Sequence, residues 1–163
     1  MKYRRRRGLG DAVGITYDTV EDPASNADKT IHLIRAYRGN EIVGEARIRH
    51  FDGDGMAEVT SIAVNLEERR HKIGTRLYER AAKLVCERHA VPLASDTYRS
   101  AYSDGFWQKQ VRKGRATCLG KLPYKTKFAK GDAANSEYGR SGCKRYILTC
   151  PAPPSLAGVK RKR

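Results

Sequence analysis

Long apolar runs are missing from this chain of 163 residues. No stretch approaches the ~20 residues that a membrane-spanning helix needs, so no membrane partner is expected. The basic start Met1-Lys2-Tyr3-Arg4-Arg5-Arg6-Arg7 is followed by no apolar segment, which argues against a secretory leader and for a soluble, cytoplasmic protein. Cysteine is scarce and unpatterned: Cys86, Cys118, Cys143 and Cys150 contain no C-x-x-C pair. Cys86 and His89 lie three apart on an expected helix, but a structural zinc takes four ligands and no second pair accompanies them. No metal site is therefore expected, and the cysteines read as reduced thiols of a cytosolic protein. Helix-turn-helix and zinc-finger spacings are absent too, which disfavours a sequence-specific reader of nucleic acid.

Acidic residues are in short supply, 18 against 33 basic ones, for a net charge of +15. The imbalance is local. Residues 1–7 hold five basic groups and no acid, 160–163 hold four, and 115–150 carry eight against two acids. Residues 8–114 are neutral overall, yet 8–60 lean acidic and 61–114 lean basic. Patches of this kind serve a polyanionic partner or solubility.

What is present organises one α+β domain over residues 14–150, between a basic arm at 1–13 and a disordered basic tail at 151–163. Thr30 to Tyr37 is a β-rich run, and Glu41 to Phe51 alternates after a turn at 38–40. Asp52-Gly53-Asp54-Gly55 is a hairpin turn, and Met56 to Val64 follows as a strand. Regular alternation puts Met56, Glu58, Thr60, Ile62 and Val64 on one face. From Ile73 the apolar residues recur at three- and four-residue steps, an amphipathic helix to about His89. Ala90 to Ala94 is a short strand, giving a β-α-β unit with parallel outer strands. Ser103 or Asp104 caps a second helix that runs to Lys113. Arg115 to Leu119 and Lys144 to Cys150 close the domain as strands around a basic loop, 120–143.

The strand-to-helix turn carries the chemistry: Asn65-Leu66-Glu67-Glu68-Arg69-Arg70-His71-Lys72-Ile73-Gly74-Thr75. Unpaired N–H groups and the positive end of the helix dipole form an anion site there, ringed by Arg69, Arg70, Lys72 and Arg76. The segment resembles the acyl-CoA-binding motif of the GNAT superfamily of N-acetyltransferases, [RQ]-x-x-G-x-[GA]. Arg69 stands at its first position and Gly74 at its last, with Lys72 where the first glycine is usual. If that position takes a positive φ, lysine there costs about 1 kcal/mol.

The resemblance implies a mixed, mostly antiparallel sheet flanked by helices, with acetyl-CoA as co-substrate. By the same resemblance Arg69, Arg70, His71, Lys72, Ile73, Gly74 and Thr75 hold the pyrophosphate, while Ile62, Ala63 and Val64 pair with the pantetheine amides. It gives Glu58 the part of general base through water; the alternative is a rim glutamate paired with Arg47 or Arg49. The family's N-x-x-A-x-x-x-Y spacing is met by Ser100 at the first place, a contact to CoA, and by Trp107 at the last. Tryptophan supplies no useful proton, so Tyr102 or Tyr98 is the candidate acid.

Only 21–29 separates a strand at 14–20 from Thr30, too short for the family's usual first two helices. The acceptor groove is then open and suits a macromolecule. Beside it Lys121, Lys125, Lys127, Lys130 and Arg145, interleaved with Tyr124, are candidate contacts to nucleic acid. The sequence thus points to an acetyl-CoA-dependent N-acetyltransferase acting on nucleic acid or a nucleic-acid-associated polypeptide. The alternatives are an enzyme modifying a base or an aminoacyl-tRNA, as in phage and toxin members, and a non-catalytic protein of the same shape that binds nucleic acid.

Overall fold

The computed structural model describes residues 14–121, 136–137, 139 and 141–150. The arm at 1–13, the tail at 151–163 and most of the basic loop, with Tyr124, Lys125, Lys127 and Lys130, lie outside the described residues.

Four consecutive antiparallel strands form a meander: β1 (Ile15–Glu21), β2 (Lys29–Arg38), β3 (Glu41–Phe51) and β4 (Ala57–Val64). Helix α1 (Ile73–His89) leads to β5 (Leu93–Ala94), β6 (Tyr98–Arg99) and α2 (Ala101–Arg112). The chain ends in β7 (Ala116–Lys121), β8 (Ser136–Glu137) and β9 (Cys143–Leu148). The main sheet runs β1-β2-β3-β4-β5-β9-β7, and β6 pairs with β8 apart from it. All its neighbours are antiparallel except β4 and β5, the parallel pair of the β-α-β crossover. β1 and β2 join directly through 22–28, where Asp22 Oδ1 accepts the Ala24 N–H at 2.8 Å. No helix intervenes between them.

Apolar spacing fixes the core. Ile73, Leu77, Tyr78, Ala81, Ala82 and Val85 bury one stripe of α1 against Ile34, Ala46, Ile48 and Val59 of the sheet. The helix comes so close that a Cβ on Gly44 would lie 3.1 Å from Ile73 Cγ2 and 3.3 Å from the Ala63 carbonyl. Trp107 of α2 is fully buried, parallel to the Tyr146 ring at 6.0 Å and edge-on to Tyr78 at 5.4 Å. Both helices therefore cover the same sheet face. Among the described residues the other face carries Arg35, Arg47, Arg49, Glu58 and Arg145 and no helix. None of the described helices is long and apolar enough to cross a membrane.

Three expectations are corrected. Ser100, rather than Ser103 or Asp104, caps α2, its Oγ accepting the Ser103 N–H at 3.1 Å. The cysteines are not free thiols: Cys86 bonds Cys150 and Cys118 bonds Cys143, with Cα separations of 5.7 and 6.0 Å. Two disulfides do not fit the reduced thiols of a cytosolic protein. Alternation along β4 is broken by a bulge: Ser61 pairs with Arg47 and Val59 with Ile48, so Thr60 has no partner across the ladder. Its Oγ1 donates instead to the Arg47 carbonyl at 3.2 Å. Val59, Ile62 and Val64 thereby share the helix face, while Glu58 stands on the opposite one.

Three histidines meet at the C-terminal end of α1. His32 and His89 approach Nε2 to Nε2 at 2.9 Å, and the His50 ring stacks on His89 at 4.3 Å. Burial lowers the pKa of both His32 and His89 from the ordinary 6.5; neighbouring imidazoles and Arg88 act the same way, and Glu21 opposes. Protonation thus favours the unfolded chain. Their contribution is intact above about pH 6.5 and is lost as pH falls from there towards the depressed values. The melting temperature should hold between pH 8 and 7, drop between about 6.5 and 5, and flatten across that window in His89→Gln. A wild-type melt level through the same window would refute the assignment.

Candidate active site

The site begins where the sheet splits. β4 and β5 pair only at Ala57 with Leu93 and Glu58 with Ala94. Beyond Glu58 the two strands no longer pair, and the bulge at Thr60 follows directly. The split holds a cavity of about 750 Å³ between Ile62, Ala63 and Val64 on one side and Ser100, Tyr102 and Phe106 on the other. Its end is the turn from Glu68 to Thr75.

That end gathers unpaired N–H groups and basic side chains. No side chain caps α1, and its first backbone bond runs from the Arg76 N–H to the Lys72 carbonyl at 3.0 Å. The N–H groups of Ile73, Gly74 and Thr75 precede that bond and have no intrahelical acceptor. Arg70 and Lys72 both have left-handed backbones, with φ of 71° and 60°. Strain of this kind persists where a local arrangement demands it. Lys72→Gly should therefore raise stability by about 1 kcal/mol and Lys72→Val lower it. Equal denaturant midpoints for the two variants would exclude strain at this residue.

Charge around the turn is arranged rather than merely positive. Arg69 donates through Nε to the Val64 carbonyl at 3.3 Å and sets its guanidinium 5.7 Å from the Tyr102 ring, spanning the cavity mouth. Glu68 is the acid lining the larger cavity. Arg38 grips both its oxygens at 2.6 and 2.7 Å, and His71 adds a contact at 3.3 Å. Arg38 chiefly holds the Glu68 carboxyl down to about 2. Of the residues expected at the phosphate end, His71 alone does not line the cavity and instead partners Glu68.

A second cavity of about 130 Å³ adjoins the first, lined by Thr60, Ser61, Asp96, Tyr98 and Arg99. Ile62, Tyr78, Ser100 and Ser103 line both. At this junction the Tyr78 hydroxyl meets Ser103 Oγ at 2.6 Å. The wall of the smaller cavity is anchored by Arg99 and Asp104, each 1% exposed, at 3.0 Å. Arg99 also donates to Ser95 Oγ, to the Asp96 carbonyl at 2.6 Å and to the Cys143 carbonyl. Asp104 accepts from Gln108 Nε2 and from both the backbone N–H and the hydroxyl of Ser141.

The remaining candidates are dispersed. Tyr102 borders the larger cavity and Tyr98 the smaller, and both are mostly exposed. Glu58 lines neither; it stands on the helix-free face between Arg49 and Arg145, 3.6 Å from each. Of the basic-loop set, Lys121 is exposed at the end of β7, and Arg145 spends its charge on Glu58. Tyr78 was hidden in the sequence because it occupies an apolar position of the α1 stripe. The hydroxyl pattern Ser100-x-x-Ser103 opposite it was the available signal.

Residues 11–110 match the family model described as Acetyltransferase (GNAT) family. No curated protein matches the chain at a significant level. Among solved structures, the chain is similar to a GNAT family acetyltransferase from Elizabethkingia anophelis with acetyl-CoA bound, at 16% identity and a TM-score of 0.50, over 84% of this chain and 97% of that one. It is similar to the IAA acetyltransferase from Bacillus cereus ATCC 14579 at 14% identity and a TM-score of 0.51, over 82% and 95%. A tandem GNAT protein from the clavulanic acid biosynthesis pathway aligns at 21% identity and a TM-score of 0.49, over 60% of this chain. The chain spans 31% of the length of that tandem protein.

Proposed function

The chain belongs to the GNAT acetyltransferase family, and on that premise we propose that it transfers acetyl from acetyl-CoA to an amine carried by a macromolecule, a nucleic acid or a nucleic-acid-associated polypeptide. One observation carries the reading: the split sheet opens into a cavity that ends on the uncapped N-terminus of α1. A long donor with an anionic end and an amide-bearing arm matches that cavity. Its pyrophosphate lies against the N–H groups of Ile73, Gly74 and Thr75, with Arg69, Arg70 and Lys72 supplying countercharge. The exposed edge of β4 at Ile62–Val64 offers backbone partners to the arm. The E. anophelis relative, named with acetyl-CoA bound, supports the choice of donor.

The thioester then sits at the junction of the two cavities, and the acceptor amine enters through the smaller one. Asp96 lends that entrance a negative charge that favours an ammonium over a neutral amide. Glu58 is the last residue of β4 paired with β5, at the lip of the split on the helix-free face. An amine arriving from that side meets this carboxylate, which takes its proton through water. With β1 and β2 joined directly, no helix among the described residues encloses that face, which supports a large acceptor. Lys121 and the basic segments beyond the described residues offer phosphate contacts to such a partner. An aminoacyl-tRNA or a base amine is the narrower version of the reading.

Calorimetry with acetyl-CoA tests the donor, and no binding heat would reject it. Acetyl transfer offered in parallel to total tRNA, duplex DNA and a basic protein, read by mass, tests the acceptor. Transfer to small amines alone would reject the macromolecular reading. Acetyl-CoA binding without turnover on any acceptor would favour a non-catalytic binder.

A further inference from the structure

Breaking a thioester leaves a thiolate, and the position from which the family motif would serve it with tyrosine holds Trp107 here, fully buried. The two tyrosines nearest in sequence, Tyr98 and Tyr102, are 56% and 67% exposed and border one cavity each. The junction of the cavities has its own hydroxyls. Tyr78 reaches it from α1 and Ser103 from the first turn of α2, oxygen to oxygen at 2.6 Å. The Trp107 indole, a donor only, packs edge-on to the Tyr78 ring at 5.4 Å. Either oxygen of the Tyr78–Ser103 pair can donate; with Tyr78 as the donor, its hydrogen is aimed at Ser103 Oγ. Ser103 in turn has its hydrogen free for the cavity, because the helix cap uses its backbone N–H and the oxygen of Ser100.

We propose that Ser103, polarised by Tyr78, is the group that holds the departing CoA thiolate. The inference rests on the acetyl-CoA reading above. The amine nitrogen bonds to the acetyl carbon, the C–S bond breaks, and its electron pair stays on sulfur. The sulfur accepts a hydrogen bond from the Ser103 hydroxyl, which accepts one from Tyr78. The proton lost by the amine passes through water to Glu58, and no proton leaves the pair. Burial pushes the Tyr78 phenol up to about 12, which suits this division of labour. A hydroxyl so weakly acidic stays protonated at any working pH and donates a hydrogen bond rather than a proton. Trp107 thus does not empty the tyrosine's place; it packs against a tyrosine from the neighbouring helix. Ser103 is the catalytic residue and Tyr78 its positioning residue.

The test reads bound CoA as well as turnover, using the full chain. In the wild type, the thiol of bound CoA, followed by the ultraviolet absorbance of its thiolate, should titrate below about 8.5, the ordinary thiol value. Ser103→Ala should return it towards that value and lower kcat about 100-fold, with KM for acetyl-CoA within about threefold. Tyr78→Phe should shift both in the same direction by less, about 10-fold in kcat. Wild-type thiol titration and kcat in Ser103→Ala would overturn the assignment. Loss of kcat in Ser103→Ala with an unmoved thiol titration would overturn it as well, since that is the pattern of a packing defect. Failure of the wild type to bind CoA at all is a different result: it removes the donor reading, and this inference falls with it.

Discussion

Asp104→Ala is expected to cost about 3–5 kcal/mol of folding stability, the largest loss from any single polar side chain among the described residues. The reason is isolation. Arg99 and Asp104 are each 1% exposed, so removing the carboxylate leaves a guanidinium in the interior without its countercharge. The same change strips the acceptor from Gln108 and from two donors of Ser141. A Cβ on Gly139 would lie 2.3 Å from Asp104 Oδ1, so the surrounding backbone is built tightly around this carboxylate. Denaturant unfolding measures the loss. Arg99→Met combined with Asp104→Leu should cost less than the two single changes added together, because the pair is removed along with the penalty of burying it. Additive losses, or an Asp104→Ala variant within about 1 kcal/mol of wild type, would show that the two groups act independently. Arg99 also walls the smaller cavity, so acetyl transfer should fall faster than stability alone accounts for.

That network was not legible in the sequence, and the reason is physical. Arg99 and Asp104 are five apart across a loop and a helix start, where no periodicity links them, and Asp104 looks like an ordinary cap. What periodicity governs was legible. The α1 stripe gave the helix from Ile73 to His89, and the alternation of Glu41–Phe51 gave β3, because a buried face imposes its repeat on composition. The bulge at Thr60 escaped for the converse reason: one extra residue shifts the alternation without changing residue types. It moved Glu58 off the face of Ile62 and Val64. Disulfide partners 64 and 25 residues apart leave no local mark either. The basic turn between β4 and α1 was readable because it is local: a strand end, a run of basic residues and a helix start follow one another directly. Lys72, at the motif's glycine position, does adopt the positive φ that such a position implies.

Gly74→Asp is expected to weaken acetyl-CoA binding at least about 100-fold while leaving the fold as stable as before or slightly more so. Gly74 sits in the first turn of α1 and lines the larger cavity. Added side-chain atoms have room there, since a Cβ would meet only Val64 Cγ2, at 3.8 Å. A carboxylate at that place is favoured by the helix dipole, by about 0.5 kcal/mol. It also occupies the ground proposed for the donor's pyrophosphate. A like charge about 4 Å from a phosphate costs about 4 kcal/mol at an effective dielectric constant near 20, so Kd should rise at least about 100-fold. Gly74→Ala adds the methyl group without the charge, and its Kd should stay within about threefold of wild type. Calorimetry reads the affinity and a thermal melt reads the fold. The opposite signs matter, because general damage lowers both quantities together. Wild-type affinity in Gly74→Asp would mean that the donor's phosphates lie elsewhere than at the start of α1. Equal losses in the alanine and aspartate variants would mean that the turn needs glycine for its backbone, not for the charge it admits.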